Sequence, residues 1–356
     1  MKVLTVLGAR PQFIKAAAVS RILRQKHIEI MLHTGQHYDQ NMSQVFFDEL
    51  GIPAPDINLG IGSGSHGSQT GAMLAAIEEV IKAEIPDWVL VYGDTNSTLA
   101  GALASAKLNF PVAHVEAGLR SYNRRMPEEI NRVLTDHLSS LLFCPSQNAV
   151  NNLEKEGITA GVHIIGDVMF EALSYARSRT STRPDILFNL GLKEKKYLLV
   201  TVHRAENTDD PDRLRSILSA LGQVEENIIF PVHPRTQAAI DKFELGSRLA
   251  HNIRLINPLG YLDMVRLQEG ARIILTDSGG MQKEAYWLGV PCITLRDETE
   301  WVETVQAGWN ILVGTDPKKI VPLIENYPRL GNHPNLYENS QGVENCLAIL
   351  ENLIAP

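Results

Sequence analysis

Two acidic residues stand at the ends of short apolar segments that are separated by one helical pattern. Asp94 follows Trp88–Tyr92, and Glu116 follows Val112–Val115. A right-handed crossover makes such consecutive parallel strands neighbours, so we expect both carboxylates at one edge of a sheet. Such a pair suits general acid–base catalysis, which is typically worth about 10²- to 10⁴-fold in rate. Asp94 alone could equally be the N-cap of the next helix.

A glycine turn after the first apolar segment leads into a helical pattern with two positive charges. Gly8 precedes this helix, and Arg10 and Lys15 lie on nearly the same face of it. Backbone N–H groups at such a turn can bind an anion. Arg10 and Lys15 are therefore candidate anion-binding residues, and a solvated pair beside a tight turn is the alternative.

A further acidic segment opens the helix predicted over residues 127–139. Pro127 suits the first turn of a helix, where Glu128 and Glu129 also favour the helix dipole. Arg132 lies one turn after Glu128, at the spacing of an ordinary surface ion pair. By itself this segment indicates only the beginning of a helix.

The second half of the chain repeats the placement of polar residues after apolar segments. His203, His233 and Arg296 each follow such a segment directly. Ligands of open α/β sheets bind beyond the carboxyl ends of the strands. These three residues are therefore candidates for a second ligand-binding edge.

A glycine pair at this second edge begins another helix. Backbone N–H groups at Ser278, Gly279 and Gly280 can hold a diphosphate, helped by a dipole contribution of about 0.3 to 1 kcal/mol. Glu284, one turn later, can accept hydrogen bonds from two ribose hydroxyls. A tight turn with a capping serine is the alternative, but it does not explain the clustering of polar residues at one edge.

Apolar segments alternate with helical patterns throughout and predict two parallel α/β sheets. The first set of predicted strands is Val3–Leu7, Ile28–His33, Trp88–Tyr92, Val112–Val115, Leu141–Cys144 and His163–Ile165. The second set is Tyr197–Val202, Ile228–Val232, Arg254–Ile256, Ile273–Thr276, Ile293–Leu295 and Ile311–Val313. A polar stretch over 179–195 separates the sets, so we place the domains at 1–178 and 179–340.

Bulk properties exclude several classes of protein. The 356 residues suffice for two domains at roughly 150 residues each. A net charge of −8 argues against nucleic-acid binding, and no apolar run approaches the roughly 18 to 20 residues of a membrane span. Three separated cysteines predict reduced thiols in a cytoplasmic protein.

Two apparent cofactor motifs do not stand in the right context. Residues 62–67 match the GxGxxG pattern but do not follow the first strand, so no dinucleotide site is expected. His114 and Glu116 resemble part of a zinc deaminase signature, yet Cys292 has no second cysteine beside it. We expect neither a cofactor nor a catalytic metal.

Sequence blocks from about residue 3 to residue 320 resemble the non-hydrolysing UDP-N-acetylglucosamine 2-epimerases. They are GARPQFIK (8–15), TGQHYD (34–39), VYGDTNSTLAGALA (91–104), HVEAGLRS (114–121), PEEINR (127–132), VTVHRAEN (200–207), PVHPR (231–235), LTDSGGMQKEA (275–285) and RDETEWVE (296–303). The resemblance implies a glycosyltransferase-B-like fold of two Rossmann-like domains facing across a cleft. It also implies that a C-terminal helix within 341–356 packs back on the first domain.

The same resemblance implies interconversion of UDP-GlcNAc and UDP-ManNAc by elimination and re-addition of UDP. Asp94, Glu116 and Glu128 would then transfer protons. Arg10, Lys15, His203 and the turn at 278–280 would stabilise the departing diphosphate. Arg132, His233, Glu284 and Arg296 complete the predicted set of site residues. A homodimer that feeds surface polysaccharide synthesis is expected.

Several positions depart from the best-known members of this family. Tyr38 and Ser68 replace arginines that line an allosteric site, so allosteric activation is not expected. Residues 122–125, Arg235 and Trp301 resemble a subgroup that acts on UDP-2,3-diacetamido-2,3-dideoxy-glucuronate. Extra arginines could bind a C6 carboxylate as a fork, which makes this uronate an alternative substrate.

Three other activities remain open from the residues alone. A glycosyltransferase of the same fold would require an acceptor sugar. A hydrolysing epimerase would release free ManNAc, and a nucleotide-sugar sensor would bind without turnover. The carboxylates of the first domain favour an epimerase over a glycosyltransferase.

Overall fold

The structure is a computed structural model that describes residues 1–35, 49, 51–52, 54–180, 184–337, 339 and 341–353. The chain divides into two units. Unit 1 comprises Met1–Ser174 and Tyr337–Pro356, and unit 2 comprises Tyr175–Leu336. Among the described residues, no helix is both long and apolar enough to cross a bilayer.

Unit 1 is built on a parallel sheet with helices between its strands. Its strands are β1 Lys2–Leu7, β2 Ile28–His33, β3 Ile57–Asn58, β4 Trp88–Tyr92, β5 Val112–Val115, β6 Leu141–Cys144 and β7 Val162–Ile164. Its helices are α1 Arg10–Lys26, α2 His66–Glu84, α3 Asn96–Lys107, α4 Pro127–Leu138, α5 Gln147–Lys155 and α6 Val168–Thr180, the last of which continues into unit 2. The strand order is β3-β2-β1-β4-β5-β6-β7.

Unit 2 repeats this plan. Its strands are β8 Leu198–Thr201, β9 Ile228–Pro231, β10 Ile253–Ile256, β11 Ile273–Thr276, β12 Cys292–Thr294 and β13 Asn310–Leu312. Its helices are α7 Ile186–Leu190, α8 Ala205–Thr208, α9 Pro211–Leu221, α10 Pro234–Lys242, α11 Tyr261–Gly270, α12 Gly279–Trp287, α13 Val302–Gln306 and α14 Pro317–Glu325, with a 3₁₀ turn at Gly246–Arg248. The final helix of the chain, α15 Gly342–Asn352, belongs to unit 1.

Both sheets are doubly wound and parallel, which confirms the predicted fold class. In unit 2 the strand order is β10-β9-β8-β11-β12-β13. The chain reverses direction across each sheet between β1 and β4 and between β8 and β11, where such folds bind their ligands. The predicted pairing of β4 with β5 is confirmed, since Val89 lies opposite Val112 and Tyr92 opposite Val115.

Buried strands and small helix residues hold the sheet of unit 1 together. All residues of β4 and β5 are buried. Gly101 of α3 lets this helix approach the sheet closely, because a Cβ there would lie 3.2 Å from Val91 and 3.3 Å from Val6. The close approach fixes the beginning of α3, which directly follows the carboxyl end of β4.

The helix α15 is fastened to unit 1 at its first turn. Glu171 of α6 accepts a hydrogen bond of 2.9 Å from the Val343 N–H. Gly342 is required there, since a Cβ would lie 2.5 Å from the carbonyl oxygen of Ile165. Burial raises the pKa of Glu171 to about 7, against the backbone hydrogen bonds from Val343 and Gly342, which favour its charged form.

Glu171 should therefore make unit 1 less stable as the pH rises. Below the ordinary pKa of 4.5, both folded and unfolded chains carry the proton. As the pH rises towards 7, the folded chain holds a proton that the unfolded chain has released, so the free energy of unfolding falls. Urea midpoints of wild type and Glu171→Gln, measured from pH 5 to pH 8, should diverge as the wild type loses stability. Glu154→Gln, at an exposed position of α5, is the matched control; equal pH dependence of wild type and Glu171→Gln would contradict this assignment.

Candidate active site

Asp94 and Glu116 lie beyond the carboxyl ends of the neighbouring strands β4 and β5, as the sequence predicts. The N–H of Gly93 donates to the Val115 carbonyl at 3.0 Å, which ties the two strand ends together. Glu116 has a φ of 74°, a conformation that costs about 1–3 kcal/mol for a residue other than glycine. Such strain persists only where surrounding structure enforces it, and it clusters at functional sites.

Lys15 and Glu116 form an ion pair at this edge. The Lys15 Nζ contacts the Glu116 Oε2, and the two side chains are only 8% and 10% exposed. Gly93, whose φ is 62°, leaves space for the pair, because a Cβ there would lie 3.2 Å from the carboxylate and 3.4 Å from the Lys15 Nζ. The lysine that was expected to bind an anion is thus held by a candidate catalytic carboxylate.

Asp94 is paired with Arg132 and does not cap α3. The cap is Thr95, whose side chain accepts from the Thr98 N–H. The Arg132 guanidinium, 3% exposed, contacts the Asp94 carboxylate, which is 31% exposed. Asn131 fixes the main chain of Asp94 through a 2.9 Å bond to its carbonyl oxygen.

The helix α4 therefore holds Asp94, and it also carries the third predicted carboxylate. Glu128 is half-buried in the first turn of this helix. Its neighbour Glu129 is buried and accepts from the N–H groups of Ser121 and Tyr122 at 2.9 and 2.8 Å. Glu129 thus fastens the loop after β5 to α4, a role that the sequence did not reveal.

The turn before α1, where an anion site is predicted, is bonded to a side chain of its own helix. The N–H groups of Gly8 and Ala9 donate to the Gln12 Oε1 at 2.8 and 2.9 Å, so this turn satisfies itself. Gln12 also donates to the Tyr92 carbonyl at 2.8 Å, which couples α1 to the end of β4. Arg10 begins α1, but its side chain lies outside the described part of the structure, as does Tyr38.

In unit 2 the second edge is organised around a buried carboxylate. Asp277, which is fully buried, accepts from the N–H groups of His203 and Arg204 at 3.0 Å and from the Asn207 Nδ2 at 3.1 Å. The His203 Nδ1 lies 3.2 Å from its other oxygen. Burial alone would raise the pKa of Asp277, but the charge and hydrogen bonds of His203, with those of Arg204 and Asn207, hold it below the ordinary value.

Both predicted histidines meet at this edge. The ring centroids of His203 and His233 are 5.6 Å apart. The His233 Nδ1 accepts from the Arg235 N–H at 3.2 Å, so a neutral His233 carries its proton on Nε2. His203, backed by Asp277, and His233 therefore stand together at this edge as candidate ligand-binding residues.

The turn before α12 offers fewer donors than the sequence suggests. The Ser278 N–H donates to the Thr276 hydroxyl at 2.9 Å, and the serine side chain caps the helix. The amides of Gly279 and Gly280 remain as the candidate anion-binding pair of this helix N-terminus. A Cβ at Gly279 would lie 2.8 Å from the Glu300 Oε1 and 3.1 Å from the Trp301 Nε1.

Two predicted substrate-binding residues are bonded to other side chains of the same chain. The Glu284 oxygens accept from the Tyr261 hydroxyl at 2.8 Å and from the Gln268 Nε2 at 2.7 Å, so a ribose would have to use their remaining lone pairs. Arg296 is 2% exposed, and its Nη1 lies 3.0 Å from the Glu300 Oε2. Arg296 thus supports the wall of the glycine turn in this structure, and its role in substrate binding stays a prediction.

The arginines named for a C6 carboxylate differ in their surroundings. The Arg235 Nη2 already donates to both oxygens of the Asp209 carboxylate, at 2.8 and 2.7 Å. Arg124 and Arg125 are exposed in the loop between β5 and α4. Trp301 is buried, with the Lys283 Nζ 3.9 Å from its ring centroid, which is a cation–π contact.

Asp277→Asn should loosen the second edge. The amide keeps one acceptor but turns a donor group towards the donors that surround Asp277, and it removes the charge facing His203. We expect the free energy of unfolding of unit 2 to fall by about 1–3 kcal/mol. Hydrogen exchange of the β8 and β11 amides in urea measures this free energy of unfolding. Asp241→Asn, an exposed side chain that accepts from Gln237, should change it by less than about 0.5 kcal/mol; equal effects of the two variants would refute the prediction.

Known proteins resemble the chain over nearly its whole length. The family model described as UDP-N-acetylglucosamine 2-epimerase matches residues 21–351. A Methanococcus maripaludis protein named UDP-N-acetylglucosamine 2-epimerase homolog is 57% identical over 330 residues, 92% of each chain. A Pseudomonas aeruginosa protein named UDP-2,3-diacetamido-2,3-dideoxy-D-glucuronate 2-epimerase is 53% identical over 331 residues, 90% of each chain.

A solved structure is also similar to this one. It is the crystal structure of Methanocaldococcus jannaschii UDP-GlcNAc 2-epimerase in complex with UDP-GlcNAc and UDP. The TM-score is 0.94 at 44% sequence identity, and the alignment covers 99% of this chain and 100% of that chain.

Proposed function

Because this chain belongs to the UDP-N-acetylglucosamine 2-epimerase family, we propose that it interconverts UDP-GlcNAc and UDP-ManNAc at C2. The reaction proceeds by elimination of UDP across C1–C2 and its re-addition after the proton has returned to the other face. The observation that carries this proposal is the pair of carboxylates at one sheet edge, Glu116 bound to Lys15 and Asp94 bound to Arg132.

The chemistry explains why several carboxylates are needed. The C2 proton of an intact acetal is not acidic, so its removal must be coupled to departure of the diphosphate. Inversion at one carbon requires proton transfer on both faces of the ring, which Asp94, Glu116 and Glu128 would provide. Each positioned acid or base contributes about 10²- to 10⁴-fold.

We assign the two parts of the substrate to different domains. Residues 1–178, with α15, carry the groups that transfer protons on the sugar. Residues 179–340 bind the UDP, whose diphosphate is held by the amides of Gly279 and Gly280 together with His203 and His233. Preorganised donors of this kind stabilise the negative charge that develops on the leaving group. Glu284 would accept from the ribose.

A second candidate substrate is UDP-2,3-diacetamido-2,3-dideoxy-glucuronate. The Pseudomonas aeruginosa relative is named for it at 53% identity. Arg124 and Arg125 are exposed in the loop that follows Glu116, where a guanidinium could meet a C6 carboxylate. Arg235 is a poorer candidate, since binding there would displace Asp209.

We also propose that the enzyme works as a cytoplasmic homodimer without metal or cofactor. The resemblance to the family supports the dimer. Cys144, Cys292 and Cys346 are all unpaired and buried, as expected for a reducing compartment. Burial raises the pKa of the Cys292 thiol to about 12, so this cysteine stays protonated and unreactive.

The function can be tested by proton NMR of the purified protein in D₂O. With UDP-GlcNAc alone, we expect deuterium to enter C2 and a second, manno-configured anomeric signal to appear. The same measurement with the diacetamido-glucuronate identifies the preferred substrate. Absence of exchange with both sugars, together with UDP release on addition of an acceptor sugar, would overturn the proposal in favour of a glycosyltransferase.

Glu116→Gln should uncouple proton transfer from nucleotide binding. The amide preserves the shape of the side chain but cannot exchange a proton at C2, so kcat should fall about 10²- to 10⁴-fold. UDP affinity, measured by calorimetry, should stay unchanged because its proposed donors lie in unit 2. Glu154→Gln serves as the matched control. Exchange at the wild-type rate in Glu116→Gln would remove Glu116 from the mechanism.

A further inference from the structure

A buried histidine lies directly behind the two candidate carboxylates. His114, in the middle of β5, is fully buried. Its Nε2 is 2.7 Å from the Gly93 carbonyl oxygen, and its Nδ1 is 2.7 Å from the Asp136 Oδ1. The ring therefore bridges the end of β4 and the helix α4.

The hydrogen bonds define the protonation of this ring. A carbonyl oxygen can only accept, so the bond to Gly93 requires a proton on Nε2. The second oxygen of Asp136 accepts from the Gly118 N–H at 3.1 Å and the Arg120 Nη1 at 2.7 Å, which stabilises the carboxylate form of this side chain. The Oδ1 of a carboxylate can only accept. The bond to Asp136 then requires a second proton, on Nδ1.

The carboxylate state of Asp136 follows from its surroundings. Burial alone would raise its pKa, but hydrogen bonds and charge from His114 and Arg120 outweigh burial and lower it. Glu156 balances the second cation, since it accepts from the Arg120 Nε and Nη2 at 2.7 and 2.8 Å. Two cations and two carboxylates thus compensate one another, and the exposed His137 lies at the rim, 3.4 Å from Glu156.

We propose that His114 is a positioning residue, a buried, doubly protonated imidazolium that holds the Gly93 carbonyl and thereby places Asp94 beside Glu116. Use of this residue in catalysis rests on the proposed epimerase function. The protonation of its ring does not.

The bonds from β5 act on a single residue, Gly93. The N–H of Gly93 donates to Val115 and its carbonyl accepts from His114, so β5 holds the residue on both sides. The next residue is Asp94, whose own carbonyl is held by Asn131. A displacement of about 1 Å at a catalytic group can cost about 10²-fold in rate, so release of this peptide should be visible in kcat.

Two substitutions separate positioning from stability. In His114→Asn the amide can still donate to Asp136 but is too short to reach the Gly93 carbonyl. In His114→Gln the longer amide can reach Gly93, while Asp136 loses its donor. Removing the partner of a buried carboxylate is the more destabilising change.

We therefore expect the two variants to rank in opposite orders for stability in urea and for kcat. His114→Asn should be the more stable variant in urea, yet its kcat should fall about 10²-fold, with little change in KM for the UDP-sugar or in UDP affinity. His114→Gln should be less stable but lose less of kcat. His137→Asn and His137→Gln, at the 47% exposed rim, are the matched controls and should retain wild-type kcat.

A spectroscopic measurement tests the ring itself. In ¹⁵N-labelled wild type, the His114 signals, identified by their loss in His114→Asn, should show both ring nitrogens protonated at neutral pH. A single protonated nitrogen would overturn the proposal. So would a wild-type kcat in His114→Asn, or a kcat that ranks the two variants in the same order as their stability in urea. If the wild type turns over no UDP-sugar, the proposed function fails, and the ring signals and stability order still decide the state of His114.

Discussion

In each unit a buried aspartate organises the sheet edge that carries the candidate site residues. Removing a carboxylate from water costs several kcal/mol unless donors inside the protein replace its hydration. Asp136 in unit 1 and Asp277 in unit 2 are both fully enclosed, and each gathers its donors from segments that are distant in sequence. Satisfying these two charges fixes the loops at the strand ends, and hence the side chains that those loops carry.

The candidate site residues at the surface depend on these buried aspartates and their partners. In unit 1 the compensated cluster behind β5 supports Gly93, and the groups in front of it are themselves paired, Lys15 with Glu116 and Arg132 with Asp94. A carboxylate held in this way is oriented before the substrate arrives, so little reorganisation is needed when charge develops. The strained φ of Glu116 is a cost that only such a tightly bonded frame can sustain.

The strands, and the sheet edge that carries the candidate carboxylates, could be predicted from the sequence. The side-chain hydrogen bonds that support this edge could not. Continuous apolar segments define buried parallel strands, and parallel topology then dictates that Asp94 and Glu116 share an edge. The bonds of Gln12 to the turn before α1 were not predicted, because no local pattern distinguishes a glutamine that caps from one that faces solvent. Glu129 and Asp136 were missed for the same reason, since their partners come from other segments. The strand β3, with two residues, is too short to leave a periodic pattern.

The two units share a strand order but present different chemistry at their edges. The edge of unit 1 carries carboxylates that are already bound to cations, which suits proton transfer and disfavours a polyanion. In unit 2, Asp277 is turned inwards and Glu300 is paired with Arg296, and the edge also presents two histidines and the amides of the α12 turn. A diphosphate carries negative charge that such donors stabilise and that neighbouring carboxylates would repel. This difference in charge supports assigning UDP to unit 2 and the chemistry at C2 to unit 1.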